Sequence, residues 1–128
     1  MRDTYQTTSY DNVYAVGLAA AVQVPWTTPV PVGVPKTGFP TETQAHAAAK
    51  NIAAQIRGGR ATVEKPFGEI PAVCIMDAGN NGIMLLGDHM LKPRKAAILI
   101  PGPQNHAMKL GLEKYFLWKS KSGNVQLP

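Results

Sequence analysis

The residues predict an α+β fold, a small antiparallel sheet with two main helices. Three observations lead there. Small apolar residues recur at helical spacing between positions 45 and 56. Three short apolar runs follow between positions 70 and 100, the first two joined by a stretch containing an Asn-Gly step. An aromatic-rich segment after Pro103 then repeats helical spacing and stops at Gly123. With 128 residues there is room for one modest core.

In chain order, Val13 to Val16 is an apolar strand that ends in Gly17. A proline-ruled extended stretch runs on to Pro35, where Pro29, Pro31 and Pro35 each fix their own φ and keep the preceding residue out of the helical region. Lys36, Thr37 and Gly38 form a turn into the first helix, with Gly38 giving freedom where the chain changes direction. Thr41 and Gln44 have capping-box spacing, so the helix is expected from about Glu42 to Arg57. Its stripe Ala45, Ala48, Ala49, Ile52, Ala53 and Ile56 is expected to be buried. Strands follow at Ile70 to Asp77, Ile83 to Leu86 and Ala96 to Ile100, with the hairpin signal at Asn81-Gly82 and a basic turn from Lys92 to Lys95. The second helix should run from just after Pro103 to about Ser120. Residues 1–60 and 61–128 are two segments expected to form one compact unit.

The Lys36-Thr37-Gly38 turn carries the most chemistry. A helix start offers free N–H groups and a positive dipole end, and with Lys36 just upstream it suits negative charge. An ordinary loop-to-helix junction with a surface lysine has the same composition. The net charge is +5, with Lys109, Lys114, Lys119 and Lys121 crowding the end. That balance suits an anionic membrane surface; nucleic acid is disfavoured because no recognised binding module accompanies the charge. One cysteine excludes an internal disulfide, and scattered His46, His89 and His106 give no metal-ligand spacing, so no metal is expected. No apolar run reaches the roughly 18 residues of a membrane span.

Taken together, Val13-Tyr14-Ala15-Val16-Gly17, the run Pro29 to Glu42 and the helix Ala47 to Gly58 resemble one family. They are similar to the last flavin-contacting segment of sulfide:quinone oxidoreductases and of the related flavocytochrome c sulfide dehydrogenase flavoproteins. The opening Arg2 to Tyr10 and the tail Leu112 to Phe116 extend the likeness over nearly the whole chain. The resemblance implies a C-terminal fragment of a two-dinucleotide-fold flavoprotein, with residues 1–60 ending the FAD-binding domain and 61–128 forming a C-terminal hairpin plus amphipathic helix. A complete enzyme of that class needs strand–GxGxxG–helix phosphate sites, and no GxGxxG occurs here. FAD is therefore expected in the parent and only weakly, or not at all, in this chain, which is expected to be inactive alone.

The resemblance also implies roles. Val16, Gly17, Lys36, Thr37 and Gly38 would contact the flavin, and Cys74 would be a redox cysteine that handles sulfide with a second one from an earlier domain. Such a role needs a thiolate; read by itself, a lone mid-strand cysteine is a small buried hydrophobe. Tyr115, Phe116 and Trp118 would flank quinone or meet the membrane. The arc Ala107, Met108, Gly111, Leu112, Tyr115, Phe116 and Trp118, interrupted opposite by Leu110 and Leu117, also fits a core helix with a ragged outer side. Leu18 stands where many flavoproteins of the class have an aspartate, a departure that some sulfide-oxidising members share. The parent is thus expected to be a peripheral membrane enzyme, with sulfide and quinone as substrates, that self-associates as a homo-oligomer. A membrane NADH dehydrogenase of the same class and a non-catalytic dimerising module are the alternatives; the first leaves Cys74 without a purpose.

Overall fold

The computed structural model describes residues 1–27, 29–30, 33–34 and 37–123. It has two compact units: Met1–Pro71 with Asp88–Arg94, and Ala72–Gly87 with Lys95–Pro128. The element content is the expected one, two main helices and a three-stranded antiparallel sheet.

The first unit is built on helix α1, Gly38–Ile56. It starts four residues ahead of the expected Glu42, because Thr37 is the last extended residue and Thr41 N–H closes the first turn on the Thr37 carbonyl at 3.2 Å. Pro40 sits inside that turn, where no backbone donor is required and its fixed φ suits the helix. The helix ends in a Schellman arrangement: Gly59 N–H bonds the Ala54 carbonyl and Gly58 N–H the Gln55 carbonyl, both at 2.9 Å, with Gly58 at φ +80°.

The expected strand at 13–16 is not formed as such. It reduces to one antiparallel bridge, Gln6 with Tyr14, after which the chain turns through a short 3-10 stretch, Gly17–Ala19. The buried stripe of α1 is also displaced. Pro40, Gln44, Ala47, Ala48 and Asn51 are buried, whereas Ile52 and Ile56 are exposed at 40% and 80%. Polar amides therefore occupy the inner face where isoleucines were expected. The reason lies in what they bind. Asn51 Nδ2 donates to the carbonyls of Thr4 (3.1 Å) and Val63 (2.8 Å), and its Oδ1 accepts from Val63 N–H at 2.8 Å. Gln55 Nε2 donates to the Asp11 carbonyl, and its Oε1 accepts from Tyr14 Oη. Irregular backbone packed on a helix needs partners, and these side chains supply them. Around them lie two apolar clusters, Tyr5 with Ala47 and Ala48, and Val34 with Phe67 and Ile70.

The second unit is a meander of β1 (Ala72–Asp77), β2 (Gly82–Gly87) and β3 (Ala97–Gly102), followed by α2 (Gln104–Ser122). Cys74 pairs with Leu85, and Leu85 with Leu99. The strands match expectation within about two residues, save that Ile70 is not in β1: it is fully buried in the first unit after a 3-10 turn, Phe67–Glu69. The β1–β2 turn uses four residues. Ala78 N–H bonds the Asn81 carbonyl, and the left-handed residue is Gly79 (φ +76°) rather than Asn81. Helix α2 touches all three strands, and Gly123 in the left-handed region ends it. Its expected apolar arc is not a core face: Met108, Leu112, Phe116 and Trp118 are exposed, as are Leu110 and Leu117, and only Asn105 and Lys119 are buried.

Asn51→Leu should cost about 2–4 kcal/mol in urea unfolding, since it takes the partner from one buried and two part-buried backbone groups, and Gln55→Leu should cost clearly less because its bonds are more exposed. Burial of Tyr5, aided by nearby Asp3, pushes its phenol up to about 12. The folded state thus favours the neutral phenol more than the unfolded chain does. That contribution is complete below pH 10, the ordinary value of a phenol, and is lost as pH rises toward 12. Tyr5→Phe should flatten this alkaline loss in thermal melts taken across the same window.

Candidate functional site

The start of α1 and the turn at Gly17 come together in the first unit. Gly17 is buried at φ +60°, a backbone state that favours glycine. A Cβ added there would lie 2.9 Å from Thr41 Cγ2, so the 16–18 segment runs directly over the first turn of α1. Gly17 N–H is held by Gln44 Oε1 at 2.6 Å. Gln44 is completely buried, and its Nε2 has no hydrogen-bond partner. Thr41 and Gln44 therefore do not form the expected capping box; they lie inside α1 and face Gly17.

Thr37 precedes α1 in extended conformation and places no side-chain hydrogen bond on its first N–H groups. Thr37 and Gly38 are exposed. The sequence-predicted residues Val16, Gly17, Thr37 and Gly38 thus stand in one unit around one helix start, a surface of uncapped donors beside a glycine turn. Lys36 lies outside the described residues. Leu18, next to Gly17, is 86% exposed.

The remaining predicted residues belong to the second unit. Cys74 is half-buried in the middle of β1. On α2, Tyr115 packs edge-on against Phe116 with centroids 6.1 Å apart and tilts against Trp118 at 6.2 Å. Lys119 folds back with its ammonium 5.4 Å from the Tyr115 ring centre. The helix start is anchored by Asn105, whose Nδ2 donates to the carbonyls of Ile100 (2.8 Å), Gly82 (3.1 Å) and Gly102 (3.2 Å). Beside it His106 Nδ1 meets the Asp77 carboxylate at 3.0 Å.

A separate cleft of about 430 Å³ in the first unit is lined by Arg2, Asp3, Tyr5, Val22, Phe67 and Leu91, among others, and contains none of the predicted residues. Arg2 is already committed to Asp11 and to the Thr8 carbonyl. Among the described residues no group of three or more His, Cys, Asp or Glu is arranged to hold a metal ion, and no helix is long and apolar enough to cross a membrane. Sequence reasoning missed Gln44 and Asn51. Their signal was available, amides seven residues apart on the alanine face of one helix.

No protein-family model matches the chain. The sulfide-quinone reductase of Aquifex aeolicus (strain VF5) is 37% identical over 121 residues, which is 94% of this chain and 27% of that protein. The X-ray structure of the sulfide:quinone oxidoreductase from the same hyperthermophilic bacterium superposes with a TM-score of 0.82 at 35% identity, covering 97% of this chain and 28% of that one. The chain therefore spans just over a quarter of the relative's length. Sequence and fold both carry the likeness to the C-terminal part of a sulfide:quinone oxidoreductase-like flavoprotein.

Gly17→Ala should destabilise the first unit by roughly 1–3 kcal/mol, combining left-handed strain with the contact to Thr41. Adding Thr41→Ala should recover only the steric part. Chemical denaturation of the single and double variants measures both.

Proposed function

We propose that the chain is the flavin-edge and quinone-side part of an enzyme that oxidises sulfide and reduces a membrane quinone. The observation that carries this reading is the 37% identity, spread over 94% of the chain, to a sulfide-quinone reductase. The overall change would be hydrogen sulfide plus quinone giving sulfur at the zero-valent level plus quinol, two electrons and two protons leaving sulfide and arriving on quinone. FAD, when bound in the parent, supplies the two-electron carrier between them.

The residues present fit such a group. Thr37 and Gly38 leave the first turn of α1 uncapped, and helix N–H groups facing an electron-rich ring edge favour its reduced, anionic form. Lys36, by its place in the sequence, would add positive charge to that edge. Val16 and Gly17 would pass the cofactor by backbone, the absent Cβ of Gly17 letting Thr41 and the start of α1 lie close beside it. Cys74 would carry sulfur as its thiolate, together with a second cysteine supplied by the parent. Tyr115, Phe116 and Trp118 would border quinone and the acyl boundary, with α2 lying on the membrane surface.

A membrane NADH dehydrogenase of the same class leaves Cys74 idle, and a dimerising module leaves the likeness at the α1 start unexplained. In the parent, Cys74→Ser should abolish sulfide-dependent reduction of a soluble quinone analogue while flavin absorbance is kept. Turnover close to that of the unchanged enzyme would sink the redox role. The isolated chain, without a phosphate-cradling glycine motif, should purify colourless and take up FAD only weakly; a yellow preparation with stoichiometric flavin is the contrary result.

Exposed apolar side chains on α2 should make the chain self-associate, most simply as a dimer, and bind vesicles of anionic phospholipid. Binding should weaken as salt rises while an aromatic component persists. A monomer by light scattering that ignores such vesicles at low salt would contradict both.

A further inference from the structure

Gln44 is a buried polar side chain of the first unit with only half of its amide satisfied. It is fully buried, it spends its oxygen on Gly17 N–H at 2.6 Å, and its Nε2 is left unpaired. A buried unpaired donor is costly, so the position is occupied by an amide at a penalty that leucine or methionine would avoid. What those residues would lack is an acceptor. Without one, the buried Gly17 N–H would lose its partner. Side chains on a helix lean toward its N-terminus, which carries the Gln44 amide back over the turn that begins at Thr37.

We propose that Gln44 is a positioning residue: its Oε1 clamps Gly17 in the left-handed state against Thr41, so that the 16–18 backbone and the uncapped start of α1 form one preset surface. The acceptor is what matters, not the amide as such. The consequence for flavin rests on the reading given above; the clamp itself does not.

The test uses the 15N-labelled full chain and four variants, Gln44→Leu, Gln44→Glu, Gln44→Asn and Gln55→Leu, with hydrogen exchange of the Gly17 amide as the first readout. Gln44→Leu should speed that exchange by about tenfold, the factor one net hydrogen bond is worth. Gln44→Glu keeps an acceptor and, with burial favouring the carboxylic acid, exchanges the amide donors for one O–H, so it should hold Gly17 exchange within about twofold of the starting protein, the margin left by partial loss of one such bond. Gln55→Leu loosens other contacts of α1 and should leave Gly17 protected. Should Gln44→Leu not fold, Gln44→Asn, one methylene too short to reach, takes its place. Unchanged Gly17 exchange in the Leu and Asn variants, or equal acceleration in Gln55→Leu, overturns the clamp.

The second readout is titration of the same proteins with FAD, followed by flavin fluorescence. Weaker binding in Gln44→Leu than in Gln55→Leu supports the positioning role. Measurable binding that Gln44→Leu leaves unaltered overturns that role while the flavin reading stands. No binding even in the starting protein is what the missing phosphate-cradling motif leads to expect, and Gly17 exchange then decides the clamp alone.

Discussion

The first unit depends on side-chain amides that do the work of a missing sheet. Most of residues 1–27 and 57–71 is irregular backbone packed against α1, yet buried N–H and carbonyl groups need partners. Asn51 serves Thr4 and both polar groups of Val63, Gln55 serves Asp11, and Gln44 serves Gly17. The three lie along α1 at spacings of seven and four, so one helix face reads three separate loops. Hydrophobic contacts of Tyr5 with Ala47 and Ala48 fill the space between, and alanine is small enough to let the backbone come within an amide's reach.

The second unit repeats the device once. Asn105 sits in the first turn of α2 and gathers carbonyls from β2 and β3. The close approach constrains its surroundings: a Cβ on Gly82 would stand 2.6 Å from the Met76 carbonyl oxygen and 3.1 Å from Asn105 Cβ. His106 adds a contact to Asp77 on β1, so all three strands are tied to two adjacent residues at the helix start. Beyond that turn α2 is held mainly by its own backbone, which accounts for how much of it is exposed.

What was legible in the sequence followed from local chemistry. The strands announced themselves through short runs of Val, Ile, Met and Leu bounded by glycine and asparagine, and α2 through Pro103 and Gly123 at its ends. The motif order at residues 13–58 carried the family likeness. What was illegible depended on tertiary partners. A hydrophobicity count scores Gln44 and Asn51 as outward-facing, whereas their hydrogen bonds to distant backbone put them inside and turned Ile52 and Ile56 out. Thr41 and Gln44 satisfy the capping-box spacing, but a proline at 40 is equally at home within a first turn, and there the helix begins earlier. The strand at 13–16 lacked a neighbour beyond Gln6. For the candidate site, Gly17 and the α1 start were visible as motifs; the side chain that joins them was not.

The exposed side chains of α2 bear on what it faces. Apolar side chains exposed on more than one side of a helix would suit the interface proposed above better than a single core face. Leu110 and Leu117 are about half exposed on one side, and Trp118 is 60% exposed within the aromatic cluster. Lys119, by contrast, is turned inward over Tyr115, its stem covering apolar surface while its charge meets the ring. Of the four lysines on this helix, then, Lys109, Lys114 and Lys121 are the ones that present charge outward. An electrostatic contribution of about 1 kcal/mol per outward lysine near an anionic surface would be comparable to burying one or two methylenes. Any lipid affinity of α2 would therefore rest more on Leu110, Leu117 and the Tyr-Phe-Trp cluster than on its net charge.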